Sequence, residues 1–140
     1  MKTEIVLVDA GPLVALFREN DEHHKSCTAE FADYRKGLPT TWPVLAEAFY
    51  LLRHDNEAIA KLVQFLEDGL LTVRELGADF PSWLRVFFER YSNLERQLAD
   101  ATLMYLAERE GIDTVFTLDR RDFSVYRTSE GKALRIVPQG

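Results

Sequence analysis

Residues 4–17 read EIVLVDAGPLVALF, and this stretch predicts the first unit of the fold. The β-branched run EIVLVD is typical of a buried strand, and it ends on an acid, Asp9. Gly11-Pro12 then opens a helix that continues through Phe17, since proline is tolerated in the first turn of a helix. The stretch therefore predicts a strand, a tight turn and a helix.

The rest of the chain continues this alternation of apolar strands and helical patterns. Helices are predicted at 23–36, 43–54, 57–67, 78–91 and 94–110, with a short helical turn at 119–123; extended segments are predicted at 38–42, 70–76, 114–118 and 133–137. Thr40 or Thr41 can cap the helix that Pro43 begins. Strands separated by helices favour a parallel sheet with right-handed crossovers, so we expect an α/β fold. No linker, repeat or low-complexity tract divides residues 1–140, which we expect to form a single domain.

Composition narrows the possible functions. The 140 residues are 46% hydrophobic and 29% charged, which is typical of an ordinary globular domain. A net charge of −6 argues against a general polyanion binder, because nonspecific nucleic-acid affinity comes mainly from Lys and Arg. Cys27 is the only cysteine, and no segment approaches the roughly 20 apolar residues of a membrane span. We therefore expect a soluble protein in the reducing cytoplasm.

Four acids stand where a surface charge is not expected. Asp100 is the most informative, because a helix over 94–110 would place it on the apolar face made by Leu103, Met104 and Ala107. An unpartnered carboxylate there would cost roughly several kcal/mol, so it must be protonated, paired or gathered around a metal. The other three acids lie at the ends or edges of apolar segments: Asp9, Glu47 and Asp119.

Each acid also has an ordinary structural interpretation. Asp9 and Asp119 could cap the helices that follow them, and Glu47 could be a solvated residue at the border of its helix. Asp100 could pair with Arg96. The carboxyl ends of parallel strands meet at one edge of a sheet, however, so Asp9 and Asp119 should converge. Taken together, the four acids predict a cation site.

Four segments carry the acids in order along the chain: VDAGPLVALF with Asp9, PVLAEAFYLL with Glu47, LADATLMYLAEREG with Asp100, and VFTLDRRDF with Thr117, Asp119 and Asp122. In this order they resemble the PIN-domain nucleases, and particularly the small VapC-like ribonucleases of toxin–antitoxin modules. The segment DEHHK after the first helix is also similar to that group. The resemblance covers nearly the whole chain.

The resemblance implies a three-layer α/β/α fold and an acidic pocket that binds Mg²⁺ or Mn²⁺ and hydrolyses RNA phosphodiester bonds. In this interpretation Asp9 and Asp100 are direct ligands, and Asp119 binds a second metal or orients the attacking water. Glu47 would hold a metal-bound water, Asp122 is a weaker fifth candidate, and Thr117 could hydrogen-bond an acid. Arg120 and Arg121 could contact substrate phosphates. The resemblance further implies a protein antitoxin as partner and a homodimer formed through the helices between Pro43 and Leu66.

Two other functions keep the same fold class. The chain could be a non-catalytic module that binds metal or RNA, with structural acids. It could also be a phosphatase or phospho-acceptor domain, but Gly11 stands where a second acid would be expected. Several aromatic residues could stack nucleobases, although their spacing favours core packing or a subunit interface: Trp42, Trp83, Phe87, Phe88 and Tyr91.

Overall fold

The computed structural model describes residues 4–34, 36–94 and 97–139. Along these residues the elements are β1 (Leu7–Val8), α1 (Ala10–Phe17), α2 (His24–Phe31), β2 (Leu38–Thr40), α3 (Trp42–Leu51), α4 (Asn56–Glu67), β3 (Leu71–Val73), α5 (Phe80–Arg90), α6 (Leu98–Glu110), β4 (Thr114–Phe116), α7 (Arg120–Phe123) and β5 (Arg135–Val137). Each predicted helix and strand is therefore present, and several begin or end at other residues than predicted. Within the described ranges no helix is both long and apolar enough to cross a membrane.

The strands are parallel. Three strands pair in the order β1-β4-β5, with Leu7 opposite Val115 and Val115 opposite Ile136. Strands β2 and β3 form a second pair. The Thr40 hydroxyl donates to the Val8 carbonyl at 3.0 Å, so β2 lies beside β1. Helices cover both faces, which confirms the predicted three-layer α/β/α fold with a central parallel sheet. The carboxyl ends of β1, β2 and β4 consequently meet at one edge.

Helix α6 is buried over most of its length, although Leu98 at its start and Arg109 and Glu110 at its end are exposed. Every residue from Ala99 to Ala107 is buried, so the helix has no single apolar stripe. The predicted start at Leu94 is wrong, because Gln97 is the N-cap and the helix begins at Leu98; the predicted end is confirmed by Gly111, whose φ of 67° terminates it. Asp100 therefore lies in the first turn, where unpaired backbone N–H groups and the helix dipole favour a carboxylate.

Local capping sets where the other helices begin. The Thr41 hydroxyl accepts a hydrogen bond from the Val44 N–H, so α3 begins at Trp42 and not at Pro43. The sequence pattern overextends several elements: α2 ends at Phe31, and the predicted strand at 70–76 shortens to Leu71–Val73. Strand pairing in each ladder involves only two or three residues, which explains the short strands.

Aromatic side chains form a cluster beside α6. The ring centroids of Trp83 and Phe87 are 5.0 Å apart, and Phe87 and Tyr91 both contact the ring of Tyr126. The predicted core packing is confirmed for Phe87 and Tyr91, which are buried. Trp42, at the start of α3, is 63% exposed and is not packed in the core, so a subunit interface stays the prediction for this residue. The aromatic cluster thus supports α6, while Trp42 lies on the surface.

Candidate metal centre

The four predicted acids line one pocket at the carboxyl edge of the sheet. Its volume is about 290 Å³, and its lining residues are Asp9, Ala10, Gly11, Glu47, Gln97, Asp100, Leu118 and Asp119. Among the lining residues that the structure describes, none carries a positive charge. The convergence predicted from the strand ends is therefore present, and the four carboxylates share one space.

Asp9 joins β1 to α1. It is the N-cap of α1, and its Oδ1 accepts a hydrogen bond from the Ala10 N–H at 2.8 Å. Its Oδ2 accepts a hydrogen bond from the Thr117 hydroxyl at 2.7 Å. The capping interpretation and the pocket interpretation of Asp9 are thus both correct. The two donors fix the orientation of the buried carboxylate at the wall of the pocket.

Asp119 and Asp122 come from the short segment that follows β4. Asp119 is the N-cap of α7, and its Oδ1 accepts a hydrogen bond from the Asp122 N–H at 3.1 Å. The Asp119 N–H itself donates to the Thr117 hydroxyl oxygen at 3.0 Å. The Thr117 hydroxyl therefore links the Asp9 carboxylate to the backbone of Asp119. This agrees with the expectation that Thr117 hydrogen-bonds an acid.

Asp100 enters the pocket from the first turn of α6. Its side chain is almost fully buried, with the residue only 5% exposed. Oδ2 accepts a hydrogen bond from the Tyr126 hydroxyl at 2.9 Å. Arg96, the alternative partner considered from the sequence, lies outside the described residues. The partner that the structure gives Asp100 is a neutral donor, so this carboxylate is not neutralised by it.

Glu47 reaches the pocket from α3. Val44, Leu45 and Ala48 of this helix are fully buried, while Glu47 is half-buried at the border, as the helical wheel predicted. Glu47 lines the pocket together with Asp9. Its location combines the two alternatives drawn from the sequence, because part of the side chain remains solvated while the residue borders the acidic pocket.

Asp100, Asp119 and Asp122 form the tightest group of acids. One carboxylate oxygen from each lies within 4.8 Å of the other two. Asp122, the weaker candidate from the sequence, is thus brought to the site, because the first turn of α7 holds it three residues from Asp119. Three close carboxylates are a donor set suited to a hard divalent cation such as Mg²⁺ or Mn²⁺, which prefers oxygen ligands.

Burial and mutual repulsion raise the pKa values in the pocket. Burial raises the pKa of Asp100 to about 8, with the charge of Asp9 adding to the effect and the Tyr126 hydrogen bond opposing it. Burial likewise raises the pKa of Asp9 to about 6, against the hydrogen bonds from Thr117 and Ala10. The pKa of Glu47 is raised by burial and then by Asp119. A cation in the pocket would favour the ionised forms that burial disfavours.

Arg120 and Arg121 are exposed on α7, next to the acids. The Arg120 guanidinium donates to the Pro138 carbonyl at 2.9 Å, which ties α7 to the end of β5. Both arginines therefore flank the pocket without lining it.

Gln97 and Tyr126 are polar residues beside the acids that were not predicted from the sequence. Gln97 contributes to the wall as the N-cap of α6, and Tyr126 holds Asp100. Only the start of α6 could have identified Gln97, and the sequence pattern placed that start at Leu94. Tyr126 follows α7 in a segment without periodicity, so its sequence position carried no signal.

Comparison with known proteins agrees with this geometry. Residues 6–128 match the PIN domain. The chain is 26% identical over 135 residues to Ribonuclease VapC26 of Mycobacterium tuberculosis, which covers 95% of this chain and all of the relative. Its fold is similar to that of the crystal structure of M. tuberculosis VapC20, a Sarcin-Ricin loop cleaving toxin, with a TM-score of 0.73, 22% identity and coverage of 83% of this chain and 91% of the other. VapBC2 from Rickettsia felis, solved bound to a DNA fragment from its promoter, gives a TM-score of 0.65 at 18% identity, covering 94% and 98% of the two chains.

Proposed function

The chain belongs to the PIN domain family, and on that premise we propose that it is a divalent-metal-dependent endoribonuclease that hydrolyses RNA phosphodiester bonds. The observation that carries the proposal is the group of three carboxylates within 4.8 Å, in a pocket that Asp9 and Glu47 also line. The VapC26 relative, named as a ribonuclease, supports RNA as the substrate class. Residues 1–140 would constitute one PIN-like domain.

We infer that Asp9, Asp100 and Asp119 are cation ligands and that Asp122 joins them. Glu47 would order a water molecule at the border of the pocket. When bound, Mg²⁺ or Mn²⁺ supplies neutralisation of the phosphodiester charge and acidifies the attacking water. The protein groups hold the carboxylates in place. Thr117 orients Asp9 through its hydroxyl, and the first turn of α7 keeps Asp119 and Asp122 together.

Arg120 and Arg121 are proposed to contact the phosphates of the RNA. A guanidinium carries five N–H donors, so the hydrogen bond from Arg120 to Pro138 leaves donors for a phosphate. Their exposure beside the acids supports this role, because RNA must approach the pocket from solvent. The positive charge would also offset repulsion between the acidic protein and its polyanionic substrate.

The proposed biological role is that of a toxin in a toxin–antitoxin pair, with a protein antitoxin as partner. The similarity to VapC20, described as a toxin, and to the VapBC2 assembly supports this role. We also propose a cytoplasmic homodimer formed through α3 and α4. Exposed apolar side chains on these helices, Tyr50, Leu51 and Val63, are consistent with a covered surface.

RNA cleavage by the purified protein tests the proposed activity. Wild-type protein should cleave RNA in Mg²⁺ or Mn²⁺ and stop when excess chelator is added. Asp100→Asn should fold and lose cleavage by at least about 100-fold, since removing a group that stabilises developing charge typically costs that much. Full cleavage by wild-type protein in chelator would overturn metal dependence. A folded protein that binds RNA and metal but never cleaves would favour the non-catalytic module.

A further inference from the structure

Tyr126 is the buried partner of the deepest acid in the pocket. Its hydroxyl donates to Asp100 Oδ2 at 2.9 Å, and the residue is only 1% exposed. A buried tyrosine could place its ring in the core and its hydroxyl against a backbone carbonyl. Here the hydroxyl is directed at one carboxylate of the acidic group instead, so the position of that carboxylate depends on this donor.

The ring of Tyr126 is held on several sides by aromatic neighbours. Phe123 and Tyr91 contact it edge to face, with centroids 5.3 and 5.1 Å away, and Phe87 lies at 5.3 Å. Rings packed this closely cannot change rotamer without displacing one another. The ring contacts therefore fix the position of the Tyr126 hydroxyl.

The backbone that carries Tyr126 is also held. The Arg127 guanidinium donates to the carbonyls of Ser124, Val125 and Tyr126, at 2.7, 3.1 and 2.9 Å. The Arg127 N–H in turn donates to the Tyr91 hydroxyl at 2.7 Å. These bonds satisfy carbonyls of the segment that follows α7, and they hold the backbone on both sides of the ring.

Residues 117–126 thus hold or supply acids at the ends of three elements. Thr117 orients Asp9 after β1, α7 provides Asp119 and Asp122, and Tyr126 reaches Asp100 on α6. Asp100 extends from a separate helix, so without the tyrosine no described side chain of this segment would donate a hydrogen bond to it.

We propose that Tyr126 is a positioning residue that acts through Asp100, its hydroxyl holding the carboxylate in the orientation that a divalent cation requires. This inference rests on the proposed function, because it assumes that the acids bind Mg²⁺ or Mn²⁺. Hydrogen-bond partners of metal ligands orient them, and their loss typically lowers metal affinity roughly 10- to 100-fold.

Mn²⁺ binding to the purified full chain tests the inference without reference to catalysis. Affinity would be measured by electron paramagnetic resonance of free Mn²⁺ for wild type, Tyr126→Phe, Asp100→Asn and Tyr105→Phe. Tyr105→Phe is the matched control: it lies on α6 like Asp100, and its hydroxyl bonds Asp79 and Gly77 away from the pocket. We expect the Kd of Tyr126→Phe to rise roughly 10- to 100-fold, and that of Tyr105→Phe to stay at the wild-type value.

Two further measurements on Tyr126→Phe distinguish a positioning role of Tyr126 from a structural role. Phenylalanine keeps the ring contacts, so metal-free Tyr126→Phe should melt within a few degrees of wild type. Its RNA cleavage should need more Mn²⁺ but recover a near wild-type kcat at saturation. A wild-type Kd in Tyr126→Phe, with binding lost in Asp100→Asn, would overturn this inference alone. Failure of wild-type protein to bind Mn²⁺ would overturn the proposed function, and the inference with it.

Discussion

Replacing Asp100 by asparagine should stabilise the metal-free protein, and the gain should grow with pH. The folded state raises the pKa of Asp100 from 3.8 to about 8, chiefly through burial. Between these two values the folded protein retains a proton that the unfolded chain releases. Stability contributed by the protonated form is therefore complete below pH 4 and is lost as pH rises toward 8. Asparagine is neutral at every pH, so the Asp100→Asn variant loses no stability through this side chain as the pH rises.

The size of the effect follows from that interval. Each pH unit between the two pKa values costs about 1.4 kcal/mol, so wild type should lose about 4 kcal/mol between pH 4 and pH 7 through this group. The side chain is almost fully buried, so solvent does little to reduce the cost. At pH 7 the melting temperature of Asp100→Asn should exceed that of wild type by on the order of 10 °C.

Chemical denaturation in chelator, at several pH values from 4.5 to 7.5, measures the difference in free energy of unfolding. Asp113→Asn is the matched control, because Asp113 is exposed and lies outside the acidic pocket. It removes one negative charge, as Asp100→Asn does, and so controls for the change in net charge. A constant difference between wild type and Asp100→Asn across this pH range would refute the reasoning. Saturating Mg²⁺ should reverse the order, since only wild type would gain full binding energy.

Three more predictions concern the surroundings of the acids. Thr117→Val should weaken Mn²⁺ binding about tenfold and cost about 1 to 2 kcal/mol of stability, because it removes the hydroxyl that orients Asp9; calorimetric titration and melting measure both. Thr114→Val, a buried threonine on β4 whose hydroxyl bonds Asp113, should leave Mn²⁺ binding unchanged, and equal losses in the two variants would contradict the role of Thr117. Arg121→Ala should weaken RNA binding and reduce the slope of log K against log salt by about 1, measured by fluorescence anisotropy; an unchanged slope would exclude a phosphate contact. Trp42→Ala should change the free energy of unfolding of the monomer by less than about 0.5 kcal/mol, because the side chain is exposed in the single chain; a loss of several kcal/mol in a denaturant titration of the monomer would contradict that exposure.

The sequence predicted the site best where the fold itself fixes the side chains. Asp9 and Asp119 each follow a strand of a parallel sheet, and the geometry of such sheets brings strand ends together. Glu47 followed from the helical period of α3, which centres the buried face on Leu45, Ala48, Phe49 and Leu52 and places Glu47 just past its border. These three residues could be predicted without knowing any side-chain contact.

Contacts between distant segments were beyond the reach of the sequence pattern. Tyr126 meets Asp100 across 26 residues, and only the path of the chain after α7 brings them together. The start of α6 was placed too early because Leu94 continues the apolar pattern, whereas helix initiation depends on backbone hydrogen bonding. The spacing of Trp42 favoured core packing or a subunit interface without separating them, and the structure places this first residue of α3 at the surface.

The position of a bound Mn²⁺ ion tests the central claim most directly. Crystals of the wild-type protein grown or soaked with Mn²⁺ would be measured for anomalous scattering. We predict a peak inside the pocket, with carboxylate oxygens of Asp100 and Asp119 roughly 2 Å from it and Asp9 or Asp122 completing the ligands. A protein that cleaves RNA in Mn²⁺ but shows no anomalous peak among these acids would contradict the account.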